Sequence, residues 1–253
     1  MFTVYRDVAR RALQRGARAW LAAVAIPIYA LVLVGAALVA QGLGSILGGI
    51  VMLIAATACL ASYLSLVADA VAGTKLKLAD LKRVGPRFWD IWSVSFALFI
   101  LSLGLSVLMG AAGPRAKFVA AGAQLLAAVF LNVIPELLYL GRNRSFALLK
   151  ESFDFIQVNA FVWLFPNLLF ALVLLKASGL LTLSQPGLMV SRLPGLLSPG
   201  GFFTTLTAVP VWALPLLIVF IHFVMVFRGL LFQALGEGEG NARLLEFKRK
   251  MNS

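Results

Sequence analysis

The sequence predicts an all-α membrane protein: six transmembrane helices in three pseudo-repeated hairpins, each preceded by a cytoplasmic interfacial amphipathic helix. Three observations lead there. Apolar residues make up 61% of the 253 residues and charged residues only 13%, too few to coat a water-facing surface. Six apolar runs are each long enough to cross a hydrocarbon core of about 30 Å, which takes about 20 helical residues. Between the runs lie charged segments whose apolar residues recur at helical spacing.

The predicted spans are 19–40, 46–68, 93–111, 118–140, 160–178 and 205–227. Each run is continuous rather than alternating, and a backbone in lipid must satisfy its own hydrogen bonds, so helix is expected over strand. Pro210 and Pro215 interrupt the last run. The first run follows a basic stretch, as in a signal peptide. At 22 residues, Ala19–Ala40 exceeds a typical signal core and lacks a small-residue cleavage pattern, so it is expected to be a retained span. The single cysteine, Cys59, excludes an intrachain disulfide, and no Cys/His spacing fits zinc.

Lys and Arg number 22 against 10 Asp and Glu. Eighteen of the 22 fall in the N-terminus, the 69–92 and 141–159 connections and the C-terminus; Arg115, Lys117, Lys176 and Arg192 fall on the other side. The positive-inside rule therefore places both termini in the cytoplasm. Loop bias also accounts for the basic balance without nucleic acid, because no basic run interleaved with aromatics remains outside the spans. Trp20, Trp89, Trp92 and Trp163 lie where the chain enters the membrane from that side, and Trp212 lies near the outer end of the last span, all fitting an aromatic belt.

The connecting segments carry apolar stripes. One runs through Tyr5, Val8, Ala9, Ala12, Leu13 and Gly16, with arginines opposite. A second takes Leu78, Leu81, Gly85, Phe88 and Trp92; a third takes Phe146, Leu149, Phe153, Ile156 and Ala160. The second and third superimpose on a shift of 68 residues, which also matches Gly73 to Gly141 and Lys82 to Lys150. Gly85-Pro86 is expected to kink or split the middle segment.

Three repeats follow, about 1–68, 69–140 and 141–230, within one membrane domain (1–230) carrying a short basic tail (231–253). Their pseudosymmetry axis should run along the membrane normal. The connections 41–45 and 112–117 are short and force antiparallel neighbours. The third, 179–204, is long and apolar and is expected to lie in the outer interface or fold back over the bundle. Gly44–Gly48 and Ser102–Ser106–Gly110 are small-residue patterns that permit close helix approach.

RSFALLKESFDFIQVNAFVWLFPNLLFALVLL and GTKLKLADLKRVGPRFWDIWSVSF resemble the repeated segments of bacterial six-span inner-membrane proteins, over about residues 70–175. These are the YciC-like proteins and the membrane domain of glycerophosphoryl diester phosphodiesterases. The resemblance implies a bundle of this topology in a bacterial cytoplasmic membrane. It carries over no catalytic residue, since the phosphodiesterase domain of the fused members is absent from this sequence.

Ionisable and amide groups inside apolar spans are functional candidates by default. Here they are Asp69, Asn132, Glu136, His222 and Arg228, with Asn167 as a further partner, expected to gather at one depth near the cytoplasmic side. The ordinary alternative is that they reach the interface with their long side chains or pair structurally. No nucleophile elbow, metalloprotease, phosphate-loop or acidic metal motif is present, so neither enzyme activity nor a cofactor nor a metal is expected. The mitochondrial-carrier pattern fails too, because its signature is missing and the surface helices precede rather than follow the odd spans.

Arg6, Arg10, Arg11, Arg15 and Arg18 are expected to contact anionic lipid headgroups. Lipids are the expected partners, with other membrane proteins or a second copy beside them. The expected role is a non-enzymatic structural or accessory one in envelope or lipid organisation. The alternative is a small transporter or lipid translocator with its polar site near Glu136 and Asp69.

Overall fold

The computed structural model describes residues 2–82, 87–112, 122–123, 125–127, 129–141, 146–177 and 211–236, and every regular element among them is helical. In chain order these are α1 (Phe2–Arg18), α2 (Trp20–Gly42), α3 (Ser45–Ala72), a 3-10 turn (Leu78–Lys82) and α4 (Phe88–Ala112). A second 3-10 turn (Leu131–Val133) leads into α5 (Ile134–Leu140), followed by α6 (Phe146–Ala177). A third (Val211–Ala213) leads into α7 (Leu214–Gly236).

Among the described residues, four helices are long and apolar enough to cross a membrane: α2, Leu47–Ala72 of α3, Ala147–Val173 of α6, and α7. The chain is a multi-pass membrane protein. α4, at 25 residues, covers the predicted span 93–111. The predicted span 118–140 lies partly outside the described residues, and its described end is the turn at Leu131–Val133 followed by the seven-residue α5. Connection 179–204, tail 237–253 and residues 83–86, which include Gly85-Pro86, also lie outside the described residues. So do the side chains of Ser102, Ser106 and Gly110.

The described residues fall into two compact units, one of Met1–Trp92, Pro135–Arg144 and Phe220–Ser253, the other of Ser93–Ile134 and Ser145–Val219. In the first, α2 and α3 form an antiparallel hairpin with Ala22, Ala25 and Leu66 buried together and Tyr29, Leu76 and Leu81 packed around them. Gly44 starts α3 at φ 78°, a left-handed conformation that glycine adopts without strain. Four residues on, a Cβ at Gly48 would come within 2.5 Å of the Ala40 carbonyl oxygen, so of the predicted small-residue pair it is Gly48 that permits the close approach, while a Cβ at Gly44 would meet nothing within 4 Å.

α3 ends in a Schellman motif. Gly73, at φ 82°, donates from its N–H to Ala70 O at 3.1 Å, and Thr74 N–H donates to Asp69 O at 2.9 Å. The Tyr29 hydroxyl and Ser62 hydroxyl meet, and both donate to Leu81 O, which fastens the 3-10 turn onto the hairpin. α1 lies against α3 with Val8, Ala12, Gly16 and Ala19 buried, a stripe at four-residue spacing and then three.

In the second unit the amphipathic segment over 145–160 and the apolar run that follows it form one 32-residue helix, α6. Its buried face runs through Leu148, Ser152, Ile156, Trp163 and Asn167. The Ser152 hydroxyl donates to Phe130 O, and Phe130 stacks on Phe153 with ring centroids 4.8 Å apart.

Several predicted stripe members do not face inward: Leu13, Leu78 and Phe153 are exposed. The periodicity rule supposes water outside, whereas lipid tails are as apolar as leucine and give a large apolar side chain no reason to turn in. The inner faces mix small residues such as Ala12 and Gly16, hydrogen-bonding ones such as Ser152 and Asn167, and large ones such as Leu148, Ile156 and Trp163.

Candidate functional site

Four of the five candidates, Asp69, Glu136, His222 and Arg228, belong to the first unit, where Glu136 and Arg228 meet. Glu136, on the first turn of α5, is completely buried and accepts two hydrogen bonds from Arg228 of α7: Nε to Oε1 at 2.7 Å and Nη2 to Oε2 at 2.8 Å. This is a two-pronged guanidinium–carboxylate pair, the strongest neutralising geometry available to either group. One α5 turn further on, Tyr139 is buried and its hydroxyl donates to Met225 O at 3.3 Å. A charged pair and a phenol therefore join α5 to α7.

Between them sits Gly229. A Cβ there would lie 2.6 Å from Tyr139 Oη and 2.6 Å from Val71 Cγ2, so α3, α5 and α7 meet at a point with no room for a side chain. Gly229→Val is expected to destabilise the protein by about 1–3 kcal/mol through overpacking. Unfolding of the purified variant in a graded denaturing-detergent series should show it; a variant as stable as the parent would mean the junction is loose.

Asp69 stands in the last turn of α3 with its backbone carbonyl in the Schellman motif, and its carboxylate acts electrostatically on Arg87. Arg87, which sequence reasoning counted only as a loop charge, donates from Nη1 to Leu138 O near the end of α5. Burial lowers its pKa, opposed first by Asp90 and then by Asp69 and Tyr139. Arg15 does the same at the end of α3, donating to Val71 O. Each helix is followed by a glycine, Gly73 or Gly141, and each has an arginine on one of its last carbonyls. Cations are favourable there, because the closing carbonyls carry the negative end of the helix dipole.

His222 of α7 is buried and donates from Nε2 to Gly16 O at 3.3 Å, pinning α1 to α7; its Nδ1 has no partner among the described residues. Asn132 belongs to the other unit, where its Oδ1 accepts from Trp163 Nε1 at 2.9 Å. Asn167 donates to Trp163 O at 2.6 Å, beside Pro166, which has no N–H to offer its own turn. Trp163, predicted in the interfacial belt, is fully buried, with Phe155 edge-on at 5.4 Å. Trp20, Trp89 and Trp212 are exposed, as belt residues would be.

Of the predicted lipid-contacting arginines, Arg6, Arg10, Arg11 and Arg18 are exposed, while Arg15 is half-buried by its bond to α3. Arg6 lies 3.9 Å from Asp7 in an open pair that contributes little.

The fold and these contacts define an all-helical, multi-pass membrane protein with a sealed ion pair and an arginine-bearing helix fastened to its spans. No family model, curated protein or solved structure matches the chain.

Proposed function

We propose that this chain is a non-enzymatic protein of a bacterial cytoplasmic membrane, with both termini cytoplasmic, acting as a structural or accessory component in lipid or envelope organisation. Its working element is α1, an amphipathic interfacial helix that holds anionic headgroups against the bundle. The observation that carries this reading is the division of α1: Val8, Ala12 and Gly16 are buried, while Arg6, Arg10, Arg11 and Arg18 are exposed. Near an anionic surface each such cation contributes about 1 kcal/mol.

Two features support the finer architecture. Arg15 and Arg87 each bond a carbonyl near the end of a helix followed by Gly73 or Gly141, the two glycines that the 68-residue shift matches. The likeness of 70–175 to six-span inner-membrane proteins points the same way. A transport reading needs Glu136 to release its partner and meet solvent, and the two-pronged bond from Arg228 at zero exposure favours a structural role instead.

The test uses full-length protein in nanodiscs of mixed phosphatidylcholine and phosphatidylglycerol, with co-purifying lipid counted after re-isolation. The parent should enrich phosphatidylglycerol several-fold over the bulk, and Arg6→Gln/Arg10→Gln/Arg11→Gln should lose part of that enrichment. A parent that retains lipid in the bulk ratio would sink the reading.

A further inference from the structure

A cavity of about 680 Å³ opens where the end of α1 meets the end of α3 and the turn that follows it. That volume lies within the range of small-molecule sites, about 300–1,000 Å³. Arg15, Arg18 and Lys75 supply three cations to its lining, Thr74 adds a hydroxyl, and none of its lining residues is acidic. We propose that this cavity is a binding site for a phosphate-bearing anion, filled at the membrane surface by an anionic phospholipid headgroup. The proposal rests on the lipid-holding role given to α1 and makes it specific to one place.

The cations are held rather than merely near. Arg15 is fixed by its Nη1 bond to Val71 O, leaving the rest of its planar fork to meet a phosphate. Its Nε stands 3.9 Å from where a Cβ at Gly73 would be, and the left-handed backbone of that residue keeps the wall bare. Leu76 lines the cavity while packing on the hairpin core, and buried Ala70 forms part of its floor, so the turn carrying Thr74 and Lys75 is anchored.

The end of a helix is ordinarily hostile to anions, because its last carbonyls point outward. Here that objection is answered bond by bond. Gly73 and Thr74 N–H take the carbonyls of Ala70 and Asp69, and Arg15 takes that of Val71. With those acceptors occupied, the three cations set the sign of the field.

Location selects the source. α2 begins at Trp20 and α3 ends at Ala72, so the cavity lies at one end of an apolar hairpin, at the level where headgroups sit when the hairpin spans. Exposed Trp20 and Val24 continue from that end along α2 and offer an apolar wall for acyl chains. A free phosphate would use the cations but not this wall.

The experiment compares two double variants of the full chain that remove equal charge. Arg18→Gln/Lys75→Gln empties the cavity of two exposed cations and leaves the Arg15 bond intact. Arg10→Gln/Arg11→Gln removes two from α1 outside the cavity. Phosphatidylglycerol binding to detergent-solubilised protein is read by native mass spectrometry, and inorganic phosphate binding by calorimetry in phosphatidylcholine nanodiscs.

The first variant should weaken the tightest phosphatidylglycerol about ten-fold, the worth of roughly one charge-assisted hydrogen bond, and the second less than about two-fold. Inorganic phosphate bound by the parent and lost only in the first variant would keep the site with a soluble occupant. Equal losses in both variants would overturn the site while leaving α1 as a general anionic-lipid contact. A parent with no preference for phosphatidylglycerol and no phosphate binding would overturn both.

Discussion

Glu136→Met is expected to cost the protein about 3–5 kcal/mol of stability, because it leaves the Arg228 guanidinium without its counter-charge among α5 and α7. The reciprocal Arg228→Met should cost less, since an orphaned carboxylate can take up a proton whereas a guanidinium keeps its charge. Glu136→Met/Arg228→Met should recover most of the loss, because an apolar pair of similar volume replaces a buried ion pair at little net cost. Unfolding of the three purified variants in a denaturing-detergent series gives the comparison. If the double variant were as damaged as Glu136→Met, the charges would be doing something other than cancelling one another. If Glu136→Met were as stable as the parent, the pair would not hold α5 to α7.

The second large effect is expected at Trp163. Trp163→Ala should destabilise by about 3–5 kcal/mol, as for other fully buried large aromatic side chains. Trp163→Phe should retain most of the packing and the edge-on contact with Phe155 while removing the donor to Asn132 Oδ1, a loss of about 1–3 kcal/mol. Asn132→Leu gives the same loss from the other side, and the two changes together should be less than additive. Additive losses in that double-mutant cycle would mean that indole and amide do not act as a pair.

These two sites also show what a sequence of this kind reveals. Glu136 and Arg228 were legible as candidates, because charge within an apolar run is costly wherever it stands. Their pairing was not, since 92 residues separate them and nothing local couples α5 to α7. Asp69, Asn132 and His222 were legible for the same reason, yet the structure bonds Asn132 to Trp163 and His222 to Gly16, while Asp69 lends its backbone carbonyl to the end of α3. Arg87 went unseen because a cation between spans looks like loop bias until the carbonyl it closes is known.

The first two apolar runs were read closely: Ala19–Ala40 matches α2 to within two residues at either end and the run at 46–68 lies inside α3, because hydropathy alone sets them. Spacing alone does not say which way an apolar stripe faces, and its members Leu13, Leu78 and Phe153 are exposed. The amphipathic segment at 145–160 and the span after it run on as one helix, for no glycine or proline lies between Phe146 and Phe165 to break the hydrogen-bond ladder.

That continuity has a mechanical side. At about 1.5 Å per residue, α6 is a rod roughly 48 Å long, against a hydrocarbon layer of about 30 Å. Roughly a third of it must therefore stand clear of the hydrocarbon, and the charged turns bearing Lys150, Glu151 and Asp154 are the part suited to do so. With no joint between those turns and Trp163, a twist or tilt imposed on them by headgroups or by another protein reaches the indole and its amide partner undiminished. The helix is built as an axle, and its bearing lies a dozen residues below the handle.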